Sequence, residues 1–190
     1  MDTKQHRSAA LVPIKDFAQA KARLSGVLTP QERSDLAQEL ASGVLRACSL
    51  FDLFVVCDAP EVASFANDHG ATVIWTPEVG LNAAVRFGVD HLSVMEYPSI
   101  LISHADLADP ANIGSLPDHG GVLIVPDHRH DGTNVMRVPR SCAFDFYYGA
   151  RSSHRHEAAA RAAGYEVHVI HDEALSHDVD DAADLSRYRA

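Results

Sequence analysis

Residues 9–57 read AALVPIKDFAQAKARLSGVLTPQERSDLAQELASGVLRACSLFDLFVVC, and this stretch decides the fold. The apolar run at 9–14 predicts a strand covered on both faces, as strands of parallel sheets are. Thr29-Pro30-Gln31-Glu32 predicts a helix start, with Thr29 as N-cap, Pro30 at the first helical position and Glu32 closing a capping box. The helix runs on through about Cys48, with Leu36, Leu40, Val44 and Leu45 forming its buried stripe. Residues 53–57 are again wholly apolar and read as a second strand. Strand, helix and strand in that order make a β-α-β unit, whose strands lie parallel.

The same alternation continues outward. Helix 60–69 is ended by Gly70, strand 71–75 follows, then helix 81–94. Residues 99–103, 122–125, 135–138, 144–148 and 166–170 read as further strands, and 153–163 and 181–189 as the last helices. The expectation is an α/β chain, with one domain over 1–190. It has a single mostly parallel, Rossmann-like sheet with helices on both faces. In such sheets ligands sit outside the carboxyl ends of the strands, so the residues just after each strand carry the functional information.

Composition bounds the partners. Of the 190 residues 46% are hydrophobic and 22% charged, ordinary for a globular chain. No apolar run is long enough to span a bilayer, and the polar opening Met1–Arg7 has no apolar segment behind it, so neither a membrane nor a leader is expected. Cys48, Cys57 and Cys142 lie far apart, an odd, sparse set that points to a reducing cytoplasm. A net charge of −10 speaks against a nucleic-acid partner. The charge is unevenly spread: Lys4, Arg7, Lys15, Lys21 and Arg23 make a basic front, and six acids between Asp172 and Asp184 make an acidic tail. The 12 histidines form i, i+2 pairs at His128/His130 and His154/His156, but no cysteine or H-E-x-x-H spacing supports a histidine metal site.

Three cations, Lys15, Lys21 and Arg23, follow the first strand within a few residues and read as a clamp for a polyphosphate, or as an ordinary basic surface. Neither G-x-x-x-x-G-K-[ST] nor G-x-G-x-x-G occurs, so P-loop and dinucleotide-type readings lose their main support. Asp106 stands just after strand 99–103. In Ser176-His177-Asp178-Val179-Asp180 two carboxylates at i, i+2 share one face of an extended segment, about 7 Å apart. Hard oxygen ligands with positions left for phosphates suit Mg²⁺. Asp180 could instead cap the helix expected from Asp181. Gly80-Leu81-Asn82, Gly132-Thr133-Asn134 and Gly149-Ala150-Arg151-Ser152 add glycine-flexed turns and hydroxyls at the same sheet edge.

In order along the chain come Pro13-Ile14-Lys15, Lys21-Ala22-Arg23-Leu24, Gly80-Leu81-Asn82-Ala83-Ala84, Asp106-Leu107, Gly132-Thr133-Asn134, Tyr148-Gly149-Ala150-Arg151-Ser152 and Asp178-Val179-Asp180. This succession resembles the 2-phospho-L-lactate guanylyltransferase family, and His156 looks like the histidine that follows that family's Gly-x-x-Ser element. The resemblance implies the nucleotide-diphospho-sugar transferase fold and a role in making the deazaflavin coenzyme factor 420. It implies that Lys15, Thr133, Gly149 and Ser152, with Asn134 beside them, hold a phosphorylated three-carbon acid. By the same resemblance Asp106, Asp178 and Asp180 bind one or two Mg²⁺ ions, and Lys21, Arg23, Leu81 and Asn82 face GTP. Acceptors within such a family are 2-phospho-L-lactate, phosphoenolpyruvate or 3-phosphoglycerate. The family usually has Gly-Asp-Leu-Pro where this chain has Ala105-Asp106-Leu107-Ala108. A homodimer and hand-over of product to the next transferase of the pathway are compatible with this reading. Two others remain: the same fold acting on molybdenum cofactor or a sugar phosphate, and a GTP-binding regulator without catalysis.

Overall fold

The computed structural model describes residues 7–76 and 80–190. Lys4 of the basic front and the start of the expected leader-free opening lie outside them. Seven strands, β1 Ala9–Pro13, β2 Asp52–Cys57, β3 Thr72–Trp75, β4 Ser99–Ser103, β5 Val122–Pro126, β6 Thr133–Pro139 and β7 Val167–Val169, form one sheet in the order β3-β2-β1-β4-β6-β5-β7. Only β6 runs against its neighbours, pairing antiparallel with both β4 and β5, while all other pairs are parallel.

The helices α1 Pro30–Ala47, α2 Pro60–Asp68, α3 Leu81–Ser93, α4 Ser152–Ala162, α5 Glu173–Ser176 and α6 Ala182–Tyr188 cover both faces. Successive side chains of β1 point to opposite sides, so Ala10 and Val12 join one apolar layer and Ala9 and Leu11 the other. On the first side Ala37, Ala41, Val44 and Leu45 of α1 and Val62 and Ala66 of α2 close the core. On the second Val85, Val89 and Leu92 of α3 do so, and Gly88 lets α3 press onto β1, since a Cβ there would stand 2.7 Å from Leu11 Cδ2. The start of α1 is as the sequence predicts, with the Thr29 side chain accepting from Glu32 N–H and Glu32 reaching back.

Residues 144–148 are not the strand that their alternation suggests. Phe144, Phe146 and Tyr148 are indeed buried on one side, but the segment has no strand partner among the described residues. Side chains take that role. Tyr148 N–H donates to Asn82 Oδ1 (2.6 Å), Asn82 Nδ2 donates back to Tyr148 O (3.2 Å), and Tyr147 N–H donates to His156 Nε2 (2.7 Å). Period-two burial therefore came from an aromatic loop laid on the sheet. The last helix is capped by Asp181, which accepts from Ala183 and Asp184 N–H, so Asp180 is not the cap.

Candidate functional site

Between β1 and β4 the strand order changes direction, and the loops that leave these two strands part to open a crevice. The loop after β1 is pinned before it reaches the crevice. Ile14 N–H donates to Val56 O, Asp16 accepts from Ala18 N–H, and Phe17 is buried edge-on to Phe65 at 5.0 Å. Lys21 then takes a left-handed conformation (φ 53°) at the head of a 3-10 turn, Ala22–Leu24, whose Leu24 is fully buried. The left-handed kink turns Lys21 inward, leaving its side chain 6% exposed, while Arg23 two residues on is 75% exposed.

The loop after β4 is held from the other side. His104 N–H donates to Asn134 O, and residues 106–108 zip antiparallel to the C-terminal segment through Val179 N–H to Asp106 O (3.1 Å) and Ala108 N–H to His177 O (2.8 Å). Val179 points into a leucine cluster with Leu24, Leu36 and Leu185, so alternation leaves Asp178 and Asp180 together on the opposite face. One carboxylate oxygen from each of Asp106, Asp178 and Asp180 lies within 4.8 Å of the others. Among the described residues this is the one such set of three acidic, histidine or cysteine side chains.

Charge in this knot is unbalanced. Lys21 Nζ is 2.6 Å from Asp106 Oδ2 and 3.7 Å from Asp180 Oδ1, and Arg23 reaches Asp180 Oδ2 at 3.0 Å. Burial by itself would raise the Asp106 carboxyl, but the Lys21 ammonium, with His104 beyond it, holds it below the usual value. Among the described residues Asp178 forms no ion pair with a cation, and burial together with the charges of Asp106 and Asp180 pushes it up to about 6. Asp106 Oδ1 is buried with no hydrogen-bond partner among the described residues. An orphaned carboxylate oxygen beside a repelled carboxylate suits a divalent cation, and these three residues could hold one. The knot forms one wall of a cavity of about 540 Å³, whose other walls include Lys15, Arg23, Leu81 and His104. A larger groove of about 740 Å³ among Arg46, Asp52, His69 and Tyr97 has no such carboxylate set.

The remaining expected residues cluster beyond β4, behind the cavity. Thr133 and Ser152 are each 1% exposed, and the Ser152 hydroxyl donates to Thr133 Oγ1 at 3.2 Å. His156 is fully buried. Because the Tyr147 amide donates to its Nε2, its proton sits on Nδ1, which donates to Thr133 Oγ1 (3.0 Å). Burial, and then the positive charges of His104 and Arg155, hold this imidazole down at about 4, so it is neutral. Gly149 adopts φ 120° before Ser152, whose N–H donates to Gly149 O. Asn134 Nδ2 donates to Leu175 O, and both functions of the Asn82 amide are used on Tyr148. Asn82 and Asn134 are thus brought to the site as braces of its walls.

Sequence reasoning gave His104 no role, yet its ring lines the cavity 5.2 Å from Tyr148, with Nδ1 3.9 Å from Asp106 Oδ1. Its place one residue past β4 was the available signal. Asp131, which opens the Gly132-Thr133-Asn134 turn, accepts from Arg151 N–H with its carboxylate and so fixes the turn before Ser152.

Comparison with known proteins supplies relatives for this arrangement. Residues 8–188 match the family described as guanylyl transferase CofC like. The chain is 34% identical over 186 residues to a phosphoenolpyruvate guanylyltransferase of Sphaerobacter thermophilus, covering 93% of this chain and 89% of that one. It is 31% identical to a 2-phospho-L-lactate guanylyltransferase of Methanothermobacter thermautotrophicus, covering 94% and 82%. A crystal structure from Desulfovibrio desulfuricans named as a nucleotide-diphospho-sugar transferase superposes with a TM-score of 0.77 at 18% identity, covering 94% of this chain and 84% of that chain. That likeness carries the fold.

Proposed function

Because the chain belongs to the guanylyl transferase CofC-like family, we propose that it transfers the guanylyl group of GTP to the phosphate of phosphoenolpyruvate. The observation that carries this reading is the cavity itself, with three carboxylates on one wall and Lys15, Lys21 and Arg23 around it. Two polyanions must meet in such a reaction, and a site that supplies both cationic side chains and hard oxygen ligands is suited to bring them together.

An oxygen of the acceptor phosphate attacks the α-phosphorus of GTP, forming the new P–O–P bridge as the bond to the β-phosphate breaks and pyrophosphate leaves. The attacking oxygen is already anionic, so no side chain is asked to remove a proton. Lys15 meets the acid, while Lys21 and Arg23 offset charge on the departing pyrophosphate. Thr133 Oγ1 accepts from both Ser152 and His156, which leaves its own proton as the donor for an acceptor oxygen. The left-handed Gly149 and the start of α3 at Leu81 and Asn82 offer backbone N–H groups to phosphate. A divalent cation, taken as Mg²⁺ on Asp106, Asp178 and Asp180, supplies Lewis-acid polarisation of the α-phosphate when bound.

The reading treats residues 1–190 as one catalytic domain. No described helix is long and apolar enough to cross a membrane, and with three unpaired cysteines we place the enzyme in the cytoplasm. A homodimer and direct hand-over of product to the next transferase belong to the same reading, and analytical ultracentrifugation with and without that transferase tests both.

Mass spectrometry of the products from GTP, Mg²⁺ and each of phosphoenolpyruvate, 2-phospho-L-lactate and 3-phosphoglycerate tests the assignment. A guanylylated phosphoenolpyruvate as the main product supports it. A guanylylated adduct of another acid alone reassigns the acceptor, and no adduct with any of them rejects the reaction. Lys15→Ala should raise the KM for the acid more than that for GTP, and the reverse pattern moves Lys15 to the nucleotide.

A further inference from the structure

We propose that Lys21 is the resident counter-cation of the carboxylate knot, and that its ammonium must leave the aspartates for the triphosphate of the nucleotide when a divalent ion enters. The inference rests on the reading of Asp106, Asp178 and Asp180 as a metal site.

Lys21 Nζ lies 2.6 Å from Asp106 and 3.7 Å from Asp180, so it occupies the charge-neutralising position that an ion shared by these carboxylates would take. Mg²⁺ binds oxygen at about 2.0–2.1 Å, which would put it and the ammonium only a few ångströms apart in a partly dry site. Like charges at that range repel strongly where the effective dielectric is low. One of the two has to move.

Lys21 is built to be the one. Its backbone is fixed, since the left-handed turn is anchored through the buried Leu24 and Leu24 N–H donates to Lys21 O. Its ammonium sits at the end of a flexible four-carbon stem, a point charge that needs no particular plane in its partner. The stem already borders the 540 Å³ cavity. A buried ammonium left unpaired is costly, and the other groups on the cavity wall near it are Lys15, Arg23 and His104, none of which can receive it as an anion. An anionic ligand in the cavity can.

Two consequences follow from that exchange. Without nucleotide, Lys21 opposes metal binding because its departure is uncompensated. With a triphosphate present, the ammonium gains a new partner, so metal and nucleotide help one another to bind by the same factor in each direction.

The test is isothermal titration of Mn²⁺ into wild type, Lys21→Met and Lys21→Gln, each with and without GTP and with no phospho-acid present, so that no turnover occurs. Lys21→Gln keeps a hydrogen bond to Asp106 and serves if the Met variant does not fold, with circular dichroism as the check. Both variants should bind Mn²⁺ at least about tenfold more tightly than wild type without GTP. The gain in Mn²⁺ affinity that GTP brings should shrink by a similar factor. Unchanged or weaker Mn²⁺ binding without GTP overturns the proposal. So does tighter binding with the GTP effect undiminished, because Lys21 would then only repel the ion from a place it never leaves. A wild type that binds no Mn²⁺ even with GTP removes the metal reading and this proposal with it.

Discussion

At the crevice between β1 and β4 three carboxylates share one buried ammonium and one exposed guanidinium, and among the described residues Asp106 Oδ1 has no hydrogen-bond partner. Behind it, Thr133, Ser152, His156, Asn82 and Asn134 are neutral and bond to one another or to backbone. The first region is electrostatically unfinished, while the second is bonded throughout, with the Thr133 hydroxyl proton left over for a ligand. Polar groups that must grip a charged ligand cannot also be satisfied by the protein, whereas groups that hold a loop in place must be. On the proposed function the contrast separates a part of the site assigned to chemistry from a part assigned to positioning, and each of the following experiments presses on one side of it.

The largest expected effect is on turnover. Asp106→Asn keeps the shape and removes the charge that pairs with Lys21 and that the proposed metal ion would share. Pyrophosphate release should fall at least about a hundredfold, in line with removal of a group that stabilises transition-state charge. Far-ultraviolet circular dichroism should be unchanged. Undiminished release would mean that the unfinished region is not the catalytic one.

The next effect is on stability and tests the finished region. His156 is held neutral at about 4, against an ordinary value near 6.5. Its stabilisation is therefore fully present above about pH 6.5 and is lost as pH falls from there towards 4. Over that window wild type should lose roughly 3 kcal/mol from this residue alone. His156→Leu strands the Tyr147 N–H and should be less stable than wild type at pH 7. In urea melts the gap between the two should close as pH falls. A gap independent of pH would show that packing, not the neutral imidazole, holds the loop.

Smaller again is Asn82→Ala, which leaves both the N–H and the C=O of Tyr148 without the partner that replaces a strand. A loss of about 2 kcal/mol is expected, measured by urea unfolding, with the acceptor KM raised more than that of GTP. A raised GTP KM alone would instead give Asn82 a direct role at the nucleotide.

Much of this contrast could be read from residues alone, and the reasons for the exceptions are physical. The Thr29/Glu32 box, the buried runs at 9–14 and 99–103 and the glycine stop at Gly70 are local signals, and the elements they predict are present. The i, i+2 spacing of Asp178 and Asp180 forces a shared face once the segment is extended, but their nearness to Asp106 is a long-range contact that only the family resemblance implied. Residues 144–148 misled because alternation reports which side chains are buried, not what the backbone bonds to. The inward turn of Lys21 depends on a left-handed backbone at a residue other than glycine, which no propensity announces. The tautomer of His156 depends on an amide nine positions away along the chain, which only coordinates bring beside it.

The smallest expected effect has the opposite sign. Asp178 has its carboxyl pushed up to about 6 by burial and by its neighbours Asp106 and Asp180, so at neutral pH its charge works against folding. Asp178→Asn keeps the volume and removes the repulsion. The metal-free variant should be more stable than wild type by about 1 kcal/mol, the usual size of such gains at strained sites, while losing turnover. The pH dependence fixes the cause. Above about pH 6 Asp178 is ionised in both folded and unfolded chains and the penalty is complete. As pH falls from about 6 towards the ordinary value near 3.8, the folded chain takes up the proton first and the penalty fades. The advantage of the variant in thermal melts should therefore be full at pH 7.5 and nearly gone at pH 4. If instead Asp178→Asn destabilises the protein at pH 7.5, the carboxylate already has a compensating partner, and the knot is as complete as the network behind it.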